Sequence, residues 1–108
     1  MEIIRANEYL KNCLDTENIS IAVILGSGLS FLEDEMSEVS YVKTADIPGY
    51  PRSTVTGHKG TITVGSYKGK KIMILGGRVH YYEGYSYDEV VFPVDLLHAA
   101  GVKNLLLT

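Results

Sequence analysis

The hydrophobic positions along this 108-residue chain change period several times, and the changes mark its elements. In residues 2–14 the apolar positions Ile3, Ala6, Leu10, Cys13 and Leu14 recur at three- and four-residue spacing, which predicts a helix with one face on a core. Cys13 falls on that face and reads as a small buried hydrophobe. Ile21-Ala22-Val23-Ile24-Leu25 is a continuous apolar run rich in β-branched residues and stopped by Gly26. It predicts a strand covered on both faces, the kind found in parallel α/β sheets. Gly26-Ser27-Gly28-Leu29-Ser30 then reads as a tight turn, and residues 31–36 as the start of a short helix. The following stretch is expected to be mainly loop, punctuated by Pro48-Gly49-Tyr50-Pro51. Thr61-Ile62-Thr63-Val64 alternates polar and apolar, Lys68-Gly69 reads as a turn, and Lys71-Ile72-Met73-Ile74-Leu75 is a second apolar run. Together they predict an antiparallel hairpin with one half-buried and one buried strand.

Gly76-Gly77 ends or kinks that second strand. Ser86-Tyr87-Asp88-Glu89 has the form of a capping box, so a helix is expected to start there and run toward Gly101, a residue suited to the left-handed position after a helix. Pro93 lies inside that helix and predicts a kink or break near Val91. Residues 102–108 read as another buried strand. A parallel strand this apolar needs cover on both faces and ordinarily leads into a further helix. The sequence is therefore expected to be a single partial domain over residues 1–108, the front part of a longer domain or a chain lying against a partner.

Composition narrows the class. With 45% hydrophobic and 21% charged residues, the chain suits one globular domain with a modest core. One cysteine excludes an internal disulfide. The first residues lack a basic segment followed by an apolar run, and no stretch approaches the roughly 18 apolar residues of a membrane span, so a cytoplasmic protein without membrane contact is expected. The net charge of −3 hides an asymmetry: residues 1–40 hold eight acids and two bases, residues 41–82 one acid and seven bases, residues 83–108 four acids and one base. A basic middle third within an acidic chain disfavours the broad basic face that tracks nucleic acid and favours a small anionic ligand. Lys68, Lys70 and Lys71 in that third read as solvating the hairpin.

Three places carry candidate chemistry. At Gly26-Ser27-Gly28 the end of a buried strand meets glycines whose N–H groups can close around an anion, with a hydroxyl as a further donor; the alternative is a plain tight turn. The dinucleotide pattern fails because Phe31 stands at the third glycine position, no P-loop is present, and Leu25 and Leu29 exclude a nucleophile elbow around Ser27. In Arg78-Val79-His80, an extended backbone turns the guanidinium and the imidazole to one side, where the arginine fork suits two phosphate oxygens; the alternative is a structural cluster. Tyr81, Tyr82 and Tyr85 follow with hydroxyls and flat faces for a sugar or base. His58, in Thr56-Gly57-His58-Lys59-Gly60, sits in a long loop of the kind that contacts ligands, or is simply an exposed loop histidine. His98 reads as packing or interface, and the three histidines lack zinc-ligand spacing.

The motifs Leu25-Gly26-Ser27-Gly28-Leu29, Ile47-Pro48-Gly49-Tyr50-Pro51-Arg52-Ser53-Thr54-Val55-Thr56-Gly57-His58-Lys59-Gly60, Gly77-Arg78-Val79-His80-Tyr81-Tyr82-Glu83-Gly84-Tyr85 and Phe92-Pro93-Val94 stand in the order seen in purine nucleoside phosphorylases of the trimeric type, which the chain resembles from Ile21 onward. The resemblance implies part of a three-layer α/β/α fold with a mixed central sheet, truncated. It implies phosphorolysis of purine nucleosides to free purine and (deoxy)ribose 1-phosphate by a homotrimeric pentosyltransferase of purine salvage, with inorganic phosphate as co-substrate and neither cofactor nor metal. Residue by residue, it implies that Ser27, Arg78 and His80 bind phosphate, that His58 acts in catalysis near phosphate and the ribose 5′ end, and that Tyr82 packs on ribose.

The family pattern continues, past the equivalent of Thr108, into an Asn-Ala-Ala-Gly-Gly phosphate loop and later a Glu and an Asn that recognise the purine. The 108 residues hold none of these, so the isolated chain is expected to be inactive. A non-catalytic phosphate-binding or assembly module is the alternative.

Overall fold

The computed structural model describes residues 2–25, 34–51, 60–76 and 87–107. Helix α1 spans Glu2–Cys13, β1 Ile21–Leu25, β2 Ser37–Lys43, β3 Thr61–Tyr67, β4 Lys70–Gly76, α2 Tyr87–Ala99 and β5 Leu105–Leu107, with a 3₁₀ turn at Thr44–Asp46. The five strands make one mixed sheet in the order β2-β3-β4-β1-β5. β1 is parallel to both β4 and β5, whereas β2, β3 and β4 form an antiparallel meander.

Alternation along the strands divides the sheet into two faces. Ala22 and Ile24, Ile62 and Val64, and Met73 and Leu75 point to the face that receives α1 and α2, and with Leu10, Leu96 and Leu97 they form the main core. Each such leucine, fully buried, contributes on the order of 2 kcal/mol through removal of apolar surface from water. Among the described residues both long helices lie on this face and touch each other, with Asn7 Nδ2 donating to the Ala99 carbonyl at 3.2 Å. That bond satisfies one of the carbonyls a helix leaves open at its C-terminus. The opposite face carries a smaller cluster of Val23, Ile72, Ile74 and Met36. Gly65 is required there: a Cβ on it would lie 2.7 Å from Met36 Cε and 3.1 Å from the Ser37 carbonyl.

The predicted helix at the N-terminus, β1 and the hairpin all form, and the mixed α/β sheet is the one expected. Lys68 and Gly69 turn the hairpin with φ of 51° and 79°, the two positive values of a type I′ turn, whose twist matches the strands. Gly101 ends α2 at φ 90°, its N–H donating to the His98 carbonyl while Val102 N–H donates to the Leu97 carbonyl, the Schellman arrangement.

Several expectations are corrected. Cys13 is exposed, because α1 ends there and Leu14 takes the buried place beneath it. Residues 37–43 are a strand and not loop; β2 is an edge strand with an irregular register between Ser37 and Ser40, and its mostly polar, exposed residues give no apolar run to read. Thr63 is buried although alternation suggested a solvent face, since it sits between Tyr41 and Ile74 on the covered second face. Helix α2 passes through Pro93 without a break, held by Phe92, Leu96 and Leu97 in the core. His98 is exposed in the last turn of α2, which removes the packing reading and leaves the interface one. β5 forms but is not buried: it is the sheet edge, with Leu105 38% and Leu106 48% exposed. The helix expected at residues 31–36 falls mostly outside the described residues, as does the Ser86 cap.

Candidate functional site

Each of the three segments that carry the candidate residues, 26–33, 52–59 and 77–86, has one of its ends attached to the described chain at the same end of the sheet. The pairing register shows this directly. β1 and β4 end side by side, with Leu25 opposite Gly76. β3 runs the other way, so its first residue, Thr61, pairs with Gly76, and Lys43, the last residue of β2, pairs with Thr61. Lys43, Thr61, Gly76 and Leu25 thus form one cross-strand row, and β5 ends at the same end with Leu107 opposite Ile24. Counted along the sequence, Ser27 is two residues past Leu25, Arg78 two past Gly76, and His58 three before Thr61. Ser27, His58, Arg78, His80 and Tyr82 themselves lie outside the described residues.

The chemistry of this end follows from strand direction. The C-terminal ends of parallel strands are where α/β sheets hold ligands, because the chain must leave the sheet there and can present backbone N–H groups to an anion. The central pair β1 and β4 delivers two glycine-containing segments to that position, Gly26-Ser27-Gly28 and Gly77-Arg78.

Among the described residues, the bases of the middle third fall at two ends of the sheet: Lys43 at the row, and Lys68, Lys70 and Lys71 at the hairpin they were expected to solvate. Lys68, Lys70 and Lys71 belong to the β3–β4 turn and the start of β4, the opposite end of a seven-residue strand and so about 20 Å from the row. Two of these charges are engaged locally. Lys71 Nζ pairs with Asp15 Oδ2 at 2.9 Å and donates to the Glu17 carbonyl at 2.6 Å, and Lys68 lies over the Tyr67 ring. The Lys71 ammonium, together with the Glu17 N–H, holds the Asp15 carboxyl below its usual range. Arg52, Lys59 and Arg78 belong instead to the segments attached at the row.

Sequence reasoning took residues 44–51 as loop, with Ile47–Pro51 opening a family motif, and read none of them as core. Ile47 and Tyr50 are buried there, and Tyr50 meets Phe92 of α2 edge-on with ring centroids 5.6 Å apart. Burial drives the Tyr50 hydroxyl far above its ordinary pKa, so it stays neutral at any physiological pH. The signal was present: an aromatic residue held between two prolines three residues from an isoleucine is poor material for a solvated loop. Among the described residues no group of His, Cys, Asp and Glu could hold a metal ion, and no helix is long and apolar enough to cross a membrane.

Residues 20–108 match the family model described as the phosphorylase superfamily, a span that begins one residue before β1 and takes in the whole sheet. The chain belongs to the phosphorylase superfamily. Within that superfamily it is 43% identical over 104 residues to purine nucleoside phosphorylase 1 of Geobacillus stearothermophilus, a match covering 96% of this chain and 38% of that protein. It is 42% identical over 88 residues to the purine nucleoside phosphorylase of Mus musculus, covering 82% of this chain and 30% of the other. Its fold superimposes on isoform 2 of the purine nucleoside phosphorylase of Schistosoma mansoni, solved with cytosine and ribose-1-phosphate, with a TM-score of 0.87 and 37% identity over 98% of this chain and 37% of that one. The 108 residues of this superfamily member therefore span a little over a third of the length of the relatives they match.

Proposed function

We propose that the chain carries the phosphate- and ribose-binding part of a purine nucleoside phosphorylase site. The single observation that carries this reading is the cross-strand row Lys43, Thr61, Gly76 and Leu25, to which the segments bearing Ser27, His58, Arg78, His80 and Tyr82 are all attached. The motif order and the likeness to purine nucleoside phosphorylases give the row its chemistry.

In the proposed reaction a phosphate oxygen forms a bond to C1′ of a purine nucleoside while the bond from C1′ to the purine nitrogen breaks. The electron pair leaves with the purine, which takes up a proton, and the products are free purine and (deoxy)ribose 1-phosphate. The Arg78 fork and the Ser27 and His80 donors hold phosphate, Tyr82 packs on the ribose, and His58 acts near phosphate and the ribose 5′ end. Phosphate so held is both nucleophile and counter-charge to the positive charge developing on the sugar, and fixed donors supply positioning and electrostatic stabilisation without a covalent enzyme intermediate. The same reading carries a homotrimeric assembly in the cytoplasm, with inorganic phosphate as co-substrate and no cofactor.

The test is calorimetric titration of the 108-residue chain with inorganic phosphate, alongside an assay for hypoxanthine released from inosine. Phosphate binding that is lost in Arg78→Ala is the expected result, with little or no hypoxanthine from the 108 residues alone. Absence of phosphate binding overturns the reading.

A further inference from the structure

Residues 44–51 connect β2 to the segment that carries His58, and their bonding reaches both ends of that segment. Gly60, which follows the segment, accepts a hydrogen bond through its carbonyl from Thr44 N–H at 2.8 Å. The Thr44 carbonyl accepts from Ile47 N–H at 3.1 Å, and the Ile47 carbonyl from Tyr50 N–H at 3.2 Å. Tyr50 and Pro51 directly precede the segment. Three backbone hydrogen bonds in relay thus run from its downstream end to its upstream end. The last of them closes a turn with Pro48 at its second position and Gly49, at φ 76°, at its third, the preference of a type II turn.

The relay is seated as well as bonded. Ile47 is 3% and Tyr50 8% exposed, and both belong to the main core. The Tyr50 ring stands at 79° to Phe92, in the first half of α2, the helix entered from the segment that carries Arg78 and His80. At the other end, a Cβ on Gly60 would lie 2.8 Å from Thr44 Oγ1, so a side chain there requires Thr44 to change rotamer.

From this arrangement we infer that residues 44–51 form a brace that fixes the span of the His58 segment and ties it, through Tyr50 and Phe92, to the helix that follows the Arg78–His80 segment, so that Thr44, Tyr50 and Gly60 are positioning residues for phosphate. The inference rests on the phosphate reading of the site and adds residues that touch neither phosphate nor sugar. Its physical basis is that binding an anion with several donors demands their relative placement, and a displacement of about 1 Å in a supporting segment costs up to about a hundredfold in function.

The experiment uses the 108-residue chain and inorganic phosphate, followed by NMR through the His58 ring resonances, with thermal melting of every variant. Tyr50→Leu removes the ring contact and is expected to weaken phosphate binding about tenfold, with Tyr50→Phe close to the parent because the ring is retained. Gly60→Ala is expected to weaken binding about threefold, less because Thr44 can yield by changing rotamer, and adding Thr44→Ala restores the parent affinity by making room. A loss of stability alone would leave the phosphate-induced shift of His58 unchanged well below the melting temperature, so that shift separates positioning from scaffold. If Tyr50→Leu unfolds the chain, Gly60→Ala with and without Thr44→Ala decides the matter. Folded variants that bind phosphate as the parent does overturn the brace and leave the phosphate reading standing. A parent chain that shows no phosphate-dependent shift overturns the phosphate reading, and the brace's role with it, without reference to any variant.

Discussion

The two ends of the central sheet make an instructive pair. Both are rich in basic residues, and both are crossed by the same strands, β3 and β4. At the hairpin end the chain turns in two residues, Lys68-Gly69, and Lys71 is neutralised by Asp15 and by the Glu17 carbonyl. At the other end the antiparallel pair does not turn back on itself. Seventeen residues, 44–60, separate β2 from β3 and ten, 77–86, separate β4 from α2, and these longer segments carry Arg52, His58, Lys59, Arg78 and His80. Lys71, at the start of β4, meets its counter-charge in the loop after α1, whereas the end of a buried parallel strand is where α/β sheets ordinarily hold ligands. Composition gives the same sign to both ends; strand direction separates them.

The comparison breaks first if the end bearing the candidate residues loses its floor. Leu75 is 1% exposed and directly precedes Gly76 of the row, so Leu75→Ala is expected to cost about 2–5 kcal/mol in urea unfolding. A cost below 1 kcal/mol would mean that this end is not rigidly packed. Next in size, Arg78→Ala is expected to remove about 1.5–3 kcal/mol of phosphate binding, the range for hydrogen bonds to charged groups, while Lys70→Ala at the hairpin end leaves affinity unchanged. Equal losses in the two variants, read by calorimetry, would show that phosphate senses only net charge and that the two ends do not differ. Gly69→Ala comes third: with φ +79° and nothing near its missing Cβ, only the left-handed backbone is penalised, by about 1 kcal/mol in stability, with phosphate affinity unaltered.

Much of the sheet could be read from the sequence because its central strands announce themselves. Ile21–Leu25 and Lys71-Ile72-Met73-Ile74-Leu75 are apolar runs whose burial on both faces leaves no ambiguity of period, and Lys68-Gly69 and Gly101 sit where positive φ is required. β2 escaped notice for the opposite reason. An edge strand with an irregularity at Ser37 to Ser40 buries only Val42, so no pattern records it. Cys13 was misjudged at the end of α1, where helical spacing stops predicting which side is covered. For the site, sequence motifs named residues and the register row joined their segments to one end. The burial of Ile47 and Tyr50, quoted only as part of a motif, went unread because proline and glycine there looked like loop punctuation, while the packing of Tyr50 on Phe92 depends on a helix more than forty residues away.

The smallest effect sharpens the hairpin end. The Asp15 carboxyl is held below its usual value of 3.8 by the Lys71 ammonium first and the Glu17 N–H second. A carboxyl whose pKa is lower in the folded chain than in the unfolded one stabilises the fold at pH values above the unfolded pKa, and that contribution disappears as pH falls through the folded pKa. Lys71→Met removes the ammonium and also the donor to the Glu17 carbonyl. The variant is therefore expected to lose less stability than the parent between about pH 5 and pH 2, in urea unfolding at low salt. Because Asp15 is exposed, molar salt should shrink the difference between the two slopes, as screening weakens exposed ion pairs. Phosphate affinity should be the same in both chains at pH 7. If Lys71→Met instead lowered phosphate affinity, the two ends of the sheet would be electrostatically coupled across its length, and the separation drawn from strand direction would fail.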